Sequence, residues 1–195
     1  MKKQSVKFGR RGGELVGRKV VSGYRAFICK LPSSFRHLAD EYLRAAEYLR
    51  PAESSEVRDD FSFVKLFLYC KSIELSLKAF LLAKDVHINE IKGKIGHNLE
   101  RGMEEAKLLG MLDIVEVTCI YKEEVRKANY YYVSKQGTEY LDDYDLVMKG
   151  SNFPSLEVLS EFASMLVAKL EKPISELEEI LVDKYSGAGA EDCLG

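Results

Sequence analysis

The chain has 195 residues, of which 46% are hydrophobic and 31% are charged, and its formal net charge is −2. This composition excludes collagen-like, low-complexity and disordered classes, and the length is enough to bury one core without metals or disulfides. The longest apolar region, residues 61–83, carries four charged residues, so we expect no membrane span. Four widely spaced cysteines without a CxxC pair, and the lack of an apolar leader, indicate a cytoplasmic protein with free thiols.

The first 31 residues predict a basic arm that differs from the rest of the chain. Residues 1–30 contain nine basic residues and one acid, a balance of +8, while the remaining chain has a balance of −10. Glycines mixed with β-branched and aromatic residues indicate an irregular segment or a short β-hairpin. Such an arm suits contact with nucleic acid, with the protein's own acidic domain or with a partner subunit.

Residues 32–185 predict one all-α domain, an antiparallel bundle of about five helices. Apolar residues spaced three and four apart predict helices over residues 32–51, with Ser33 and Ser34 as available N-caps, and over residues 55–83. A connection over residues 85–95 follows, and then a helix over 99–109 that ends at Gly110. A third stretch of apolar spacing predicts a helix over 112–133. The last predicted helix covers 154–170, and Pro173 separates it from a final segment that reaches residue 184. Residues 186–195 are predicted to be a disordered tail.

A carboxylate and a histidine are predicted to belong to a polar network. Glu74 lies on the apolar stripe of the long helix, so its charge needs a partner, which Lys78 at i+4 or Lys71 at i−3 can supply. Glu74 then serves either as a register-fixing carboxylate or as a general base. His97 is either a capping or packing residue that bonds a neighbour such as Glu74, or an acid/base group. We favour a structural network of Glu74, Lys78 and His97.

Residues 126–132, Arg-Lys-Ala-Asn-Tyr-Tyr-Tyr, form the densest candidate binding feature. On a helix, Asn129 and Tyr130 follow Arg126 by three and four residues and share its face. Arginine offers a fork for phosphate and tyrosine offers a stacking ring, so Arg126, Asn129, Tyr130 and Tyr131 are predicted contacts for a nucleotide or RNA. The alternative is an ordinary core edge or dimer interface.

Motifs for metal binding and for nucleophilic catalysis are missing from the sequence. Its three histidines are scattered, without an HxxxH pair, and it contains no GxSxG. We therefore expect no metal and no cofactor.

Three segments together resemble the HEPN superfamily, named for higher eukaryote and prokaryote nucleotide-binding domains. They are Tyr-Cys-Lys-Ser-Ile-Glu-Leu-Ser-Leu-Lys-Ala-Phe-Leu at 69–81, Lys-Ile-Gly-His-Asn-Leu at 94–99 and Ala-Lys-Leu-Leu-Gly-Met at 106–111. Their order is similar to the family's helix with Glu and Lys four apart, then Gly-His-Asp-Leu, then a helix ending in Gly. Asn98 stands where many members have Asp. The resemblance covers about residues 35–133.

The resemblance implies a bundle of four or five helices that forms a homodimer. Many family members are metal-independent endoribonucleases whose Arg-x4–6-His motif lines a cleft between protomers, whereas others are binding modules or partners of nucleotidyltransferases. Here Arg126 is followed at that spacing by Tyr131, Tyr132 and Val133, and no arginine in the chain has a histidine there. Tyrosine is a poor proton carrier at neutral pH.

The predicted function is therefore that of a non-catalytic HEPN-like binding protein. Its 126–132 face would contact a nucleotide, RNA or a partner protein, with a nucleotidyltransferase or an antitoxin among the partners that the resemblance implies. The alternative is a metal-independent endoribonuclease of a toxin or defence system with an atypical active site.

Overall fold

The computed structural model describes residues 31–49, 62–133 and 153–186, and within these ranges it contains six α-helices and no strand. The helices are α1 (Pro32–Tyr48), α2 (Ser62–Ala83), α3 (Ile88–Glu90), α4 (Leu99–Leu108), α5 (Cys119–Val133) and α6 (Leu156–Ser186). The all-α class is thus confirmed for the described residues, with six helices where about five were predicted. The predicted arm, apart from its last residue, and residues 187–195 of the tail lie outside the described ranges.

Helix α2 is the central element of the core. It is apolar on nearly every face, and α1, α4, α5 and α6 all pack against it. Its fully buried large side chains are Leu66, Ile73, Leu77, Phe80 and Leu81. Burial of each such side chain stabilises the fold by about 1.5–3 kcal/mol. The other helices must cover these side chains, so α2 determines where they lie.

Helix α1 begins one residue before the predicted serine caps. Pro32 occupies the first turn, where its missing N–H leaves no donor unsatisfied, and Leu31 at the N-cap position makes no side-chain capping bond. The carboxylate of Glu178 in α6 accepts hydrogen bonds from Ser33 N at 2.7 Å and from Ser33 Oγ at 2.9 Å. A residue 145 positions away therefore caps this helix, which local sequence does not reveal.

The predicted connection over residues 85–95 is wrong, because most of it is helical. Helix α3 continues directly into a π-helical turn, Ile91–Ile95, and Gly96 ends that turn with a φ of 58°. The side chains of Ile91 and Ile95 are both buried. Their burial holds the segment against the core and delivers the chain to the start of α4.

The single helix predicted over 112–133 is also wrong in its first third. Met111–Asp113 forms a short 3₁₀ turn, and the α-helix begins only at Cys119. The Thr118 hydroxyl accepts a hydrogen bond from Tyr121 N at 3.3 Å, the contact of an N-cap. The β-branched residues before it disfavour an earlier helical start.

Two predicted helix breaks have different outcomes. Gly110 lies just after α4 with a φ of 88°, which confirms it as the stop of that helix. Pro173 does not interrupt α6, which runs for 31 residues, or about 46 Å. Leu170 and Ile174 on either side of the proline are completely buried. Their packing offsets the one backbone hydrogen bond that proline removes.

Candidate functional site

The carboxylate of Glu74 is buried in the middle of α2 and is shared by two lysines of the same helix. Only 4% of its side chain is exposed. Lys78 Nζ lies 2.6 Å from Glu74 Oε1, and Lys71 Nζ lies 3.3 Å from Glu74 Oε2. The i,i+4 and i,i+3 spacings place both ammonium groups on the glutamate's face of the helix. Both local partners suggested by the sequence therefore contact Glu74.

Two further side chains reach Glu74 from other elements. His97, in the turn before α4, has Nδ1 at 3.2 Å from both carboxylate oxygens, and the Tyr132 hydroxyl of α5 donates to Oε2. The rings of His97 and Tyr132 meet edge to face, with centroids 6.4 Å apart. We call Lys71, Glu74, Lys78, His97 and Tyr132 the Glu74 cluster. It joins α2, the turn before α4, and α5.

The electrostatics of the cluster favour an ionised Glu74. Burial alone raises the pKa of this carboxyl, but hydrogen bonds from Lys78 and Tyr132 and the charges of both lysines outweigh burial, so the net pKa lies below its usual value. Burial and the adjacent Glu74 charge raise the pKa of Tyr132, which therefore remains a neutral hydrogen-bond donor. A charged buried carboxylate with this many donors is a stable anchor.

Sequence reasoning missed Tyr132 as a member of this cluster. Tyr132 belongs to the 126–132 run and stands at a position where the Arg-x4–6-His motif has histidine, and neither feature predicts a contact with Glu74. The available signal was its position four residues after Ala128, on the apolar stripe of α5. Its ring packs on Phe67 of α2, with centroids 5.8 Å apart, and a tyrosine that packs on a neighbouring helix needs a partner for its hydroxyl.

Asn129, predicted as a nucleotide or RNA contact, lies inside the protein. Its Oδ1 accepts from Leu99 N at 2.8 Å, and its Nδ2 lies 3.4 Å from Asn98 Oδ1 and 3.0 Å from Glu100 Oε2. The first of these bonds satisfies a free N–H in the first turn of α4. Asn98 is the N-cap of the same helix and accepts from Arg101 N at 3.0 Å. The Asn129 side chain is therefore committed to joining α5 to α4.

The other three members of the predicted binding face differ in burial: Tyr131 is half-buried, whereas Arg126 and Tyr130 are exposed. Tyr131 packs against Phe63 and Phe153, with ring centroids 6.3 and 5.6 Å apart. Arg126 and Tyr130 are exposed, and 74% of Tyr130 is accessible to solvent. One turn of α5 separates these two, so the structure leaves an arginine and a phenol ring together at the surface.

Arg126 forms a two-pronged ion pair on the surface of α5. Its Nε and Nη2 lie 3.0 and 2.7 Å from the two carboxylate oxygens of Glu123. Arg126 also borders a groove of about 370 Å³ between α4 and α5. The apolar lining of this groove includes Met103, Leu112 and Val117. Solvent screens an exposed pair of this kind, so a ligand can displace Glu123 at little cost.

Within the described residues, no group of three or more histidine, cysteine, aspartate or glutamate side chains is placed to hold a metal ion. None of the described helices is both long and apolar enough to cross a membrane. No protein-family model, curated protein or solved structure matches the chain.

Proposed function

We propose that this protein is a non-catalytic, HEPN-like helical binding module whose exposed Arg126 and Tyr130 contact single-stranded RNA or a nucleotide. The observation that carries the proposal is the exposure of these two side chains, one turn apart on α5. The guanidinium group can exchange its surface partner Glu123 for a phosphate, and a largely exposed phenol ring can stack on a base.

The proposal is narrower than the sequence prediction. Asn129 is left out of the contact surface, because its side chain is buried in the α4–α5 junction. Tyr131 is half-buried, and its ring packs on Tyr130 as well as on Phe63 and Phe153, so the proposal rests on the two exposed side chains. The non-catalytic assignment rests on the sequence, in which no arginine is followed by a histidine at the spacing of the family's nuclease motif.

Helix α1 offers a matched control for this pair. Arg44 and Tyr48 have the same residue types at the same spacing, both are exposed, and Arg44 is also paired with a neighbouring acid, Asp40. If RNA binds to any exposed arginine and tyrosine, substitutions in the two pairs should weaken RNA binding equally. If the site is specific, only substitutions of Arg126 and Tyr130 should weaken it.

Fluorescence anisotropy with a labelled single-stranded RNA at physiological salt tests the proposal. We expect Arg126→Ala and Tyr130→Ala each to weaken binding by about fivefold or more, since loss of one stacking or phosphate contact has this size. Arg44→Ala and Tyr48→Ala should stay within about twofold of wild type, the limit for a surface change outside the site. No binding by the wild type, or equal losses in both pairs, would remove the proposal.

The same RNA, recovered after incubation with chelator, separates binding from cleavage. Intact RNA agrees with a binding module. Fragments with 2′,3′-cyclic phosphate ends that are lost in Arg126→Ala would replace the proposal with the endoribonuclease alternative.

A further inference from the structure

The Glu74 cluster contains more cationic than anionic groups. Two ammonium groups, those of Lys71 and Lys78, face one carboxylate, and the imidazole of His97 adds a third nitrogen group. The Tyr132 hydroxyl stays neutral. With a neutral imidazole, the five side chains therefore carry a net charge of +1, on a partly buried surface where charges interact more strongly than in bulk water.

The members of the cluster are not equally accessible. Lys78 makes the shorter bond to Glu74, and its side chain is 12% exposed. Lys71 makes a bond of 3.3 Å and is 21% exposed, while the His97 side chain is 67% exposed. Lys71 and His97 therefore form the solvent side of the cluster.

Both outer groups retain hydrogen-bond donors that Glu74 does not use. The ionised carboxylate can only accept, so Nδ1 of His97 carries the proton in this contact. Among the described residues, no side chain bonds to Nε2. Protonation of Nε2 makes it a second charged donor. The ammonium group of Lys71 has three N–H bonds, and one is directed at Glu74.

We propose that Lys71 and His97 bind a small tetrahedral oxyanion on the solvent side of Glu74, with inorganic phosphate as the simplest form. A phosphate oxygen accepts strongly from ammonium and imidazolium groups, and Glu74 holds both of them in place. The carboxylate itself is covered by Lys78 and Tyr132, which reduces its repulsion of an anion. This site uses none of the residues of the Arg126–Tyr130 pair, so it stands independently of the proposed function.

NMR of the histidine rings tests the site, because the chain has only three histidines. Phosphate replaces chloride at constant ionic strength and constant pH. We expect a saturable shift of the His97 ring signals. His37, beside Glu41, and His87, at the start of α3, are internal references that should not saturate.

Two lysine variants of α2 provide the matched comparison. Lys71→Met should weaken phosphate binding by about tenfold, the effect of one lost charge-assisted hydrogen bond. Lys65→Met makes the same change of charge in the same helix and should leave the affinity within about twofold. Lys71→Arg retains the charge and should retain binding, which separates loss of the site from loss of the fold.

Equal or non-saturating shifts of all three histidines, or an unchanged affinity in Lys71→Met, would overturn the site. Competition by adenosine monophosphate but not by adenosine would show that a terminal phosphate monoester is accepted as well as the free ion. Competition by adenosine itself would contradict recognition through phosphate. Tyr130→Ala should leave phosphate binding unchanged, so this proposal and the proposed function can fail separately.

Discussion

The Glu74 cluster and the Glu123–Arg126 pair have the same kind of sequence spacing but differ in burial. Each is an acid and a base three or four residues apart on one helix, with nitrogen–oxygen distances of 2.6–3.3 Å. Glu74 faces the core, so His97 and Tyr132 from other elements also reach its carboxylate. Glu123 faces solvent, and its carboxylate accepts two hydrogen bonds from Arg126.

The comparison shows that burial, rather than spacing, decides what an ion pair does. A buried carboxylate with several donors ties elements together, and its loss leaves charges without partners in a poorly hydrated place. An exposed pair loses most of its interaction energy to solvent and remains available to ligands. The following predictions test that difference, beginning with the largest expected effect.

Removal of Glu74 should be severely destabilising, whereas removal of Glu123 should not. Glu74→Ala leaves Lys71, Lys78 and Tyr132 without their shared acceptor, and we expect the free energy of unfolding to fall by about 3–5 kcal/mol. Glu123→Ala should leave it almost unchanged, because solvent screens an exposed ion pair. Urea unfolding monitored by circular dichroism measures both. Similar losses in the two variants would mean that burial does not separate the two sites.

Asn129 tests whether the inner part of the predicted binding face is structural. Asn129→Ala removes the acceptor of Leu99 N and the amide bonded to Glu100, and we expect a loss of about 2 kcal/mol. Asn89→Ala, at an exposed asparagine of α3, should have an effect below about 0.5 kcal/mol. A stable Asn129→Ala variant with weakened RNA binding would return this residue to the contact surface.

Local features of the fold and site were predictable, because their causes lie within one or two helical turns. The apolar spacing of α1 and α2, the stop at Gly110 and the pairing of Glu74 with Lys71 and Lys78 are of this kind. The sequence also suggested a contact between His97 and Glu74. It could not establish that contact, because the two residues are 23 positions apart and meet only when α4 packs on α2.

The errors arose where distant contacts decide local structure. Asn129 was assigned to a surface by its spacing from Arg126, yet its main partner is a backbone amide 30 residues away. Pro173 read as a helix break, but burial on both of its sides keeps α6 continuous. Periodicity indicates which residues share a face, while the identity of the element covering that face comes only from the tertiary structure.

The pH dependence of stability gives the finest test of the comparison. The pKa of Glu74 is lowered in the folded protein, despite the opposing effect of burial, by Lys78, Tyr132 and Lys71. Its ionised form therefore stabilises the fold fully above the unfolded glutamate pKa of about 4.3, and this contribution is lost as pH falls through the lower folded value. Between about pH 5 and pH 3, wild type should lose stability more steeply than Glu74→Gln.

Salt separates the buried carboxylate from the exposed one in the same experiment. Glu123 is hydrogen-bonded to Arg126 and lies beside its positive charge, and both interactions lower the pKa of Glu123. Glu123→Gln should therefore also flatten the acid profile at low salt. Exposed charges are screened at about 1 M salt, where the Debye length is about 3 Å, whereas buried pairs are screened much less. The slope difference between wild type and Glu74→Gln should therefore survive high salt, and that of Glu123→Gln should disappear. If salt removes both differences, the Glu74 carboxylate is hydrated in solution, and the contrast between the two sites does not hold.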